Sequence, residues 1–364
     1  MHVDWNWIKQ RPHFIAESLA DYFYITLLYP TIWNKKNAVI NQKVKKITYN
    51  QIYHVPYKIF PFKKLKIINS FIIYIQMKLV LIRENYEIIW FTSPLFYNYI
   101  DKLIKNKIVV YDCMDKWPGF AKNKEEYYEK AQQEKRLIDR SDIIFVSSDS
   151  LYNYVIKEAK DKKVILLKNA ISYSFLQSIY SNNDNNKMKK KEFRNDGYFK
   201  LGYIGTIDRW IDFKSMVSLL DEIDSLIINL VGPVCCKIPA HQRLKIYGPI
   251  NHEKIPNIIS QFDGFIMPFI LNELTEAVNP VKIYEYISFG KPIISVKYDQ
   301  IEEFEKFIWT YSCYQELKDI IINLIKKHLS VKYSKIEAFE FLKDNTWEKR
   351  GAAIIESLIK ANLI

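Results

Sequence analysis

The chain has 364 residues, 49% of them apolar, and a formal net charge of +12, a length that exceeds one ordinary core and suits two domains. No stretch offers the ~18 uncharged apolar residues of a membrane span, and the polar, aromatic opening MHVDWNWIKQRP does not read as a signal peptide. Cys113, Cys235, Cys236 and Cys313 form neither a C-x-x-C pair nor a zinc spacing, so free thiols in a reducing compartment are expected.

In chain order, HFIAESLADYF reads as a helix and ITLLYP as a strand. Residues 53–83 then mix aromatic rings with Lys58, Lys63, Lys64 and Lys66 before an apolar helix. Such a segment either lies at a lipid interface, with lysines against anionic headgroups, or packs as a loop and a buried helix. EIIWFTSP, KIVVYDCMD, DIIFVSS and VILLKNAI follow as strands, with EEYYEKAQQEKRLIDRS as a helix among them. The Asn/Lys-rich, non-periodic run at 181–196 is the clearest linker. Beyond it FKLGYIGTI, SLIINLVGPV, RLKIYGPI, GFIMPF and PIISV read as strands, separated by helical patterns. Strands alternating with helices imply parallel sheets, hence two Rossmann-like layer structures. The expected division is 1–185, a linker at 186–197, 198–340, and a terminal amphipathic helix at 341–364.

The richest motif is DGFIMPFILNELTEAVNPVKIYEYISFGKPIIS, a buried strand, an acidic polar loop, a helix and a second buried strand. Asn279 suits the N-cap and Pro280 the first helical position, while Gly290 and Pro292 mark the stop. This delivers a helix N-terminus to the carboxyl end of a strand, where open α/β sheets bind ligands and where unpaired N–H groups favour a phosphate. Lys282 adds a charge there. Glu285, on the same helix face, suits the paired hydroxyls of a sugar. A phosphate at one end and a diol at the other describe a nucleotide. In the preceding loop Thr275 and Asn279 are candidate donors to phosphate or sugar, and Glu276 or Glu273 candidate acceptors from it. GYIGTIDRWIDF, after another strand, offers the Gly205–Thr206 backbone to a phosphate and Arg209 as a second cation. It lacks the third glycine of a dinucleotide fingerprint, so no dinucleotide cofactor is expected.

In the first half, VVYDCMDKWPGF runs a β-branched strand into Asp112 and Asp115, carboxylates at a strand's carboxyl end. Transfer of a sugar to a hydroxyl needs a base for the acceptor proton, and a carboxylate shielded by Trp117 suits that task. Asp115 is the first candidate and Asp112 the second, with His13 as a competing base. Each also has a plain structural reading, as a cap, a loop hydrogen-bond acceptor or a buried histidine.

The run NPVKIYEYISFGKPII resembles the donor-binding signature of GT-B glycosyltransferases that build bacterial surface polysaccharides, including teichuronic acid and xanthan-type glucuronosyltransferase enzymes. The opening W-x-x-x-RP-x-x-x-A segment, YDCMD and GYIGTID extend the resemblance. It implies two Rossmann-like domains facing across a cleft, with the last helix crossing back to the first domain. It also implies a nucleotide-sugar donor (UDP-sugar favoured), Lys282 on the diphosphate, Glu285 on the ribose, and catalysis without a required metal or cofactor. The implied acceptor is a lipid-linked glycan of capsule, O-antigen or exopolysaccharide synthesis, handled by a cytoplasmic enzyme peripheral on the inner face of the plasma membrane. An anionic membrane surface, rather than nucleic acid, would then be the partner for the positive charge. Two alternatives share the architecture: a catalytically idle binding subunit and a nucleotide-sugar epimerase. Two departures stand out. Ala277 occupies the place of the first Glu in the larger retaining branch, and only MHVD precedes the first loop and helix, so the first strand is expected to be missing or replaced.

Overall fold

A computed structural model describes residues 1, 3–30, 43–53, 62–159, 161–185, 197–250 and 254–364. Residues 186–196 of the expected linker and residues 54–61 of the basic aromatic stretch lie outside the described residues, while 181–185 of the Asn/Lys-rich run are helical. The described residues divide into two compact units, one of those up to 168 together with 351–364, the other of those from 169 to 350.

The first unit begins with helix α1 (Arg11–Leu19), strands β1 (Ile25–Pro30) and β2 (Ile47–Ile52), and the long helix α2 (Phe62–Arg83). It continues through β3 (Ile88–Phe91), the single turn α3 (Tyr97–Ile100), β4 (Ile108–Cys113), α4 (Lys124–Arg140), β5 (Ile143–Val146), α5 (Asp149–Glu158) and β6 (Lys163–Leu166). β3, β4, β5 and β6 form a parallel sheet in that order, whereas among the described residues β1 and β2 pair only with each other. Central β4 and β5 bury on both faces, as the run IVVYDC and the run IIFV require. α4 starts where Asn123 accepts the N–H of Glu126, an ordinary N-cap.

The second unit holds α6 (Tyr173–Asn185), β7 (Phe199–Ile204), α7 (Phe213–Glu222), β8 (Leu226–Val231), β9 (Leu244–Ile246), α8 (Ile255–Ile259), β10 (Gly264–Met267), α9 (Val281–Ser288) and β11 (Ile293–Val296). β12 (Trp309–Tyr311), α10 (Tyr314–Ile325), α11 (Lys335–Asp344) and α12 (Trp347–Lys360) complete the chain, α12 running into the first unit from Gly351 onward. Its six strands are all parallel, in the order β12-β11-β10-β7-β8-β9. The chain therefore builds outward from β7 through β8 and β9, then restarts on the other side of β7 with β10. The junction of β7 and β10 is the topological switch point, where loops leave adjacent strands in opposite directions and open a crevice.

The division differs from the expected one. Residues 169–185 belong to the second unit because Asn169 is hydrogen-bonded to Asn279 and Ile171 pairs with Thr346. Strand ITYNQI, the turn α3, helices α5 and α6 and the elements from β12 to α11 were not among the expected elements. Their apolar runs are short, and tertiary packing rather than local pattern fixes them.

Candidate functional site

In the second unit the switch point is stitched shut at its base. The N–H of Asp212 donates to Pro268 O at 2.8 Å and that of Ile270 to Trp210 O at 2.7 Å, while Ile211 bridges Phe269. These bonds tie the loop after β7, with Thr206 and Arg209, to the loop after β10, with Thr275, Glu276 and Asn279. α9 is joined to the same rim by Tyr286, whose hydroxyl accepts the N–H of Ile204 at 2.8 Å and whose ring stacks on Phe265 at 4.3 Å. The structure thus gathers the donor-site candidates of this unit on one edge of one sheet.

Their individual placements refine the expectations. Pro280, not Asn279, is the N-cap of α9, and Val281 is its first residue. Asn279 is buried and spent within the protein: its Oδ1 accepts the N–H of Asn169 at 2.9 Å and its Nδ2 donates to Glu303 at 2.9 Å. It holds the loop instead of presenting an amide to a ligand. Thr275 is likewise buried, donating through Oγ1 to Ile270 O at 2.7 Å and accepting the N–H of Asn272. Asn272 Oδ1 in turn accepts the N–H groups of Leu274 and Thr275, so this asparagine shapes the loop. Glu276 is exposed and Ala277 buried, which leaves position 277 no polar group to offer. Gly205 does not offer its N–H to a ligand, because Val231 O takes it at 2.9 Å. The close approach here is made by Gly232, which has φ +147° and whose Cβ would lie 1.9 Å from Gly205 O. Arg209 is exposed at the rim and makes no ion pair among the described residues.

Lys282 and Glu285 hold one another. Nζ stands 2.9 and 3.1 Å from the two carboxylate oxygens, with the Glu285 side chain only 2% exposed and Lys282 at 20%. Gly290 closes α9 in the left-handed region at φ +63°, as its place before Pro292 predicts.

In the first unit β4 delivers Asp112 into the interior and Asp115 to the loop beyond. Asp112 is completely buried and gripped by Arg11, Nε at 2.9 Å and Nη2 at 2.7 Å from Oδ1, while Arg11 Nη1 donates to Leu167 O at 2.6 Å. A carboxylate so engaged has no lone pair directed at solvent, so the second base candidate is corrected to a structural ion pair. Asp115 is partly exposed, and its pKa is pushed up to about 6 by burial and by Asp112, with Arg11 opposing. The Trp117 indole is engaged elsewhere, beneath Lys130 at 4.2 Å and on Gln133.

His13 is buried and structural. Its Nδ1 accepts the N–H of Gln10 at 3.2 Å, which leaves the proton on Nε2, 3.2 Å from Asp4 O, and burial pulls its pKa down to about 4. Sequence reasoning missed Arg11, although a cation at the first position of a helix, against the dipole, signals a partner elsewhere. It also missed Glu134. This buried carboxyl on α4 accepts from Tyr111 at 2.6 Å and Tyr154 at 2.9 Å and is pushed up to about 7 by burial. Among the described residues no group of three His, Cys, Asp or Glu side chains stands close enough to hold a metal ion.

No family model matches the chain. It is 26% identical over 239 residues to TuaH of Bacillus subtilis (strain 168), a protein assigned as a teichuronic acid biosynthesis glycosyltransferase. The match spans 61% of this chain and 59% of that protein. Among solved structures it is similar to sucrose-phosphate synthase from Thermosynechococcus elongatus (TM-score 0.70, 13% identity, 96% of this chain and 92% of that one). It is also similar to HepE of Anabaena, solved in complex with UDP and glucose (TM-score 0.64, 13% identity, 95% and 94% covered). A third is a glycosyltransferase from Rickettsia africae (TM-score 0.61, 13% identity, 96% and 94% covered).

His13 generates a pH test. Its folded pKa lies below the ordinary 6.5, so it contributes stability that is present above pH 6.5 and lost as pH falls toward about 4, because the unfolded chain takes the proton first. The wild-type advantage over His13→Asn in urea unfolding is expected to shrink across that window by up to about 3 kcal/mol. An advantage that is flat from pH 7 to 4.5 would show that the ring is not held neutral.

With β-α layers, parallel sheets in both units and these likenesses across nearly the whole chain, the protein has the GT-B fold of the glycosyltransferases.

Proposed function

We propose that the chain is a glycosyltransferase that takes a sugar from a nucleotide donor, UDP-linked by preference, and places it on a lipid-linked glycan during bacterial surface polysaccharide synthesis. The observation that carries this is the Lys282–Glu285 pair on the first turns of α9, at the switch point and beside the Arg209 loop. In the free protein the two charges neutralise each other. A nucleoside diphosphate supplies each with a better partner: phosphate oxygens for Lys282 and ribose hydroxyls for Glu285, which is uncovered once the lysine moves. Arg209 and the first N–H groups of α9 add to the stabilisation of the leaving diphosphate as its bond to the anomeric carbon breaks. Asp115 accepts the proton of the acceptor hydroxyl as the new C–O bond forms. The likeness to TuaH and to a structure holding UDP and glucose supports the donor class.

Calorimetric titration with UDP, GDP, ADP and CMP tests the donor site. One nucleotide is expected to bind in the micromolar range, with Lys282→Ala and Glu285→Ala each weakening it ten-fold or more, an effect of about 1.4 kcal/mol. Binding by none of the four removes the donor reading. Binding without transfer to any acceptor points to an idle subunit, and conversion of the free nucleotide sugar without an acceptor points to an epimerase.

The proton acceptor has its own signature. Asp115 must be ionised to act, so transfer should rise with pH through about 6 and level above it. Asp115→Asn is expected to spare nucleotide binding and lower kcat at least a hundred-fold. Unchanged turnover would remove Asp115 from the mechanism.

A peripheral place on an anionic inner membrane surface is part of the same proposal. No helix of the described residues is long and apolar enough to cross a membrane. α2 nevertheless leaves Ile67, Phe71, Ile75, Leu79 and Ile82 exposed at helical spacing, Ile67 at 72% and Ile82 at 69%. Its sequence carries Lys63, Lys64, Lys66, Lys78 and Arg83 and no acidic residue. That combination suits an interface where rings and aliphatic chains enter the headgroup layer and cations meet lipid phosphate. The protein should sediment with phosphatidylglycerol vesicles and not with phosphatidylcholine ones, and Phe71→Asp with Leu79→Asp should release it. Equal sedimentation of the double variant would move the contact elsewhere.

A further inference from the structure

The carboxyl end of β4 is gripped from both faces of its sheet. Successive side chains of a strand point to opposite faces, so Asp112 meets Arg11 on one side while Tyr111 and Cys113 meet α4 on the other. Glu134 stands on that second side, and the transfer chemistry gives it no task. Its side chain is fully buried, and donors from three elements converge on it. Oε1 accepts the Tyr111 hydroxyl at 2.6 Å and faces Cys113 Sγ at 3.8 Å, while Oε2 accepts the Tyr154 hydroxyl of α5 at 2.9 Å. The Trp117 backbone N–H adds a fourth hydrogen bond. A carboxylate offers about four lone-pair sites, so these donors fill it. Burial pushes its pKa up to about 7, and the donors pull the other way.

Two of the donors bracket Asp115: Cys113 precedes it and Trp117 follows it. Between them Ser147 Oγ donates to Met114 O at 3.0 Å, and Cys113 Sγ also lies 3.8 Å from the Asp115 carbonyl. Tyr154 makes a further tie, with Lys116 Nζ over its ring at 5.2 Å. We propose that Glu134 is a positioning residue for Asp115: it holds Cys113 and Trp117 on either side, so that the Asp115 carboxyl is kept half-covered instead of swinging into water. The inference rests on the reading of Asp115 as the group that takes the acceptor proton. The effect passes through the backbone of the turn, since the groups that shift the ionisation of Asp115 are burial, Arg11 and Asp112. An apolar side chain of the same volume would fill the space on α4 equally well. It would leave two hydroxyls, a thiol and an N–H without their acceptor, and the turn without its anchor.

The test reads Asp115 directly. The full chain is isotope-labelled at the side-chain carboxyl carbons of aspartate, and the Asp115 resonance, identified by its loss in Asp115→Asn, is titrated by NMR. The wild-type midpoint is expected at about 6. In Glu134→Leu the turn loosens and water reaches the carboxyl, so the midpoint should fall by about one unit or more toward the ordinary aspartate value. Glu134→Gln keeps one acceptor oxygen and should recover about half of that shift. Where the leucine variant does not fold, Tyr154→Phe removes one donor and should give a smaller shift in the same direction. Glu134→Leu should also lower kcat about ten-fold or more, with UDP affinity unmoved because the donor-site residues lie in the other unit. A midpoint that stays at the wild-type value in both Glu134→Leu and Tyr154→Phe overturns the inference and leaves the role of Asp115 intact. A shifted midpoint beside unchanged turnover of Asp115→Asn sinks the base reading instead, and the positioning role falls with it.

Discussion

The buried pair of Arg11 and Asp112 is the constraint on which the first unit depends. Three elements distant in sequence meet at one guanidinium: the start of α1, the carboxyl end of β4 and the carbonyl of Leu167 after β6. Both charges are fully out of water, so their attraction chiefly offsets the cost of burying them. The pair's value is therefore in geometry rather than net stability. A lone charge left by removing either partner would cost about 3–5 kcal/mol, enough to forbid alternative packings of the first helix. The pair also sets the electrostatics nearby. Arg11 restrains the rise in the pKa of Asp115 while Asp112 promotes it, which leaves a carboxyl that ionises near pH 6.

Much of the fold was legible because its strands are fully buried and its helices strongly periodic. IVVYDC, IIFV, FKLGYI, LIINLV and GFIM are apolar runs of strand length bounded by turn residues, and each is a strand. The pattern failed where a segment owes its conformation to neighbours. ITYNQI alternates weakly and becomes a strand by pairing with β1, and WTY is too short to read at all. The place where the chain changes units was illegible for a related reason. Nothing local marks Asn169; its buried bonds to Asn279 across 110 positions draw the segment into the second unit.

The candidate site was legible in residue type and less so in role. Chemistry-bearing side chains were found because carboxylates, a lysine and an arginine cluster at strand ends, where parallel sheets place ligand-facing loops. Whether such a side chain faces a ligand or its own loop depends on hydrogen bonds that composition does not encode. Asn279 and Thr275 have the right groups, yet Asn169, Glu303 and Ile270 already hold them. At Gly205 the N–H is held by Val231 O, and it is the missing Cβ of Gly232 that lets its loop lie against Gly205 O.

The two units reach stability in different ways, and this bears on how each can change shape. The second is a continuous six-stranded sheet whose central loops are cross-bonded at the switch point, with Tyr286 pinning α9 to β7. The first unit divides its strands between two sheets, and the bonds of Arg11 and the packing of Trp5 against His13 hold its opening loop in place. Backbone groups that face a cavity instead of a neighbouring strand contribute little to rigidity, so β1 and β2 have fewer bonds to break than β4 and β5.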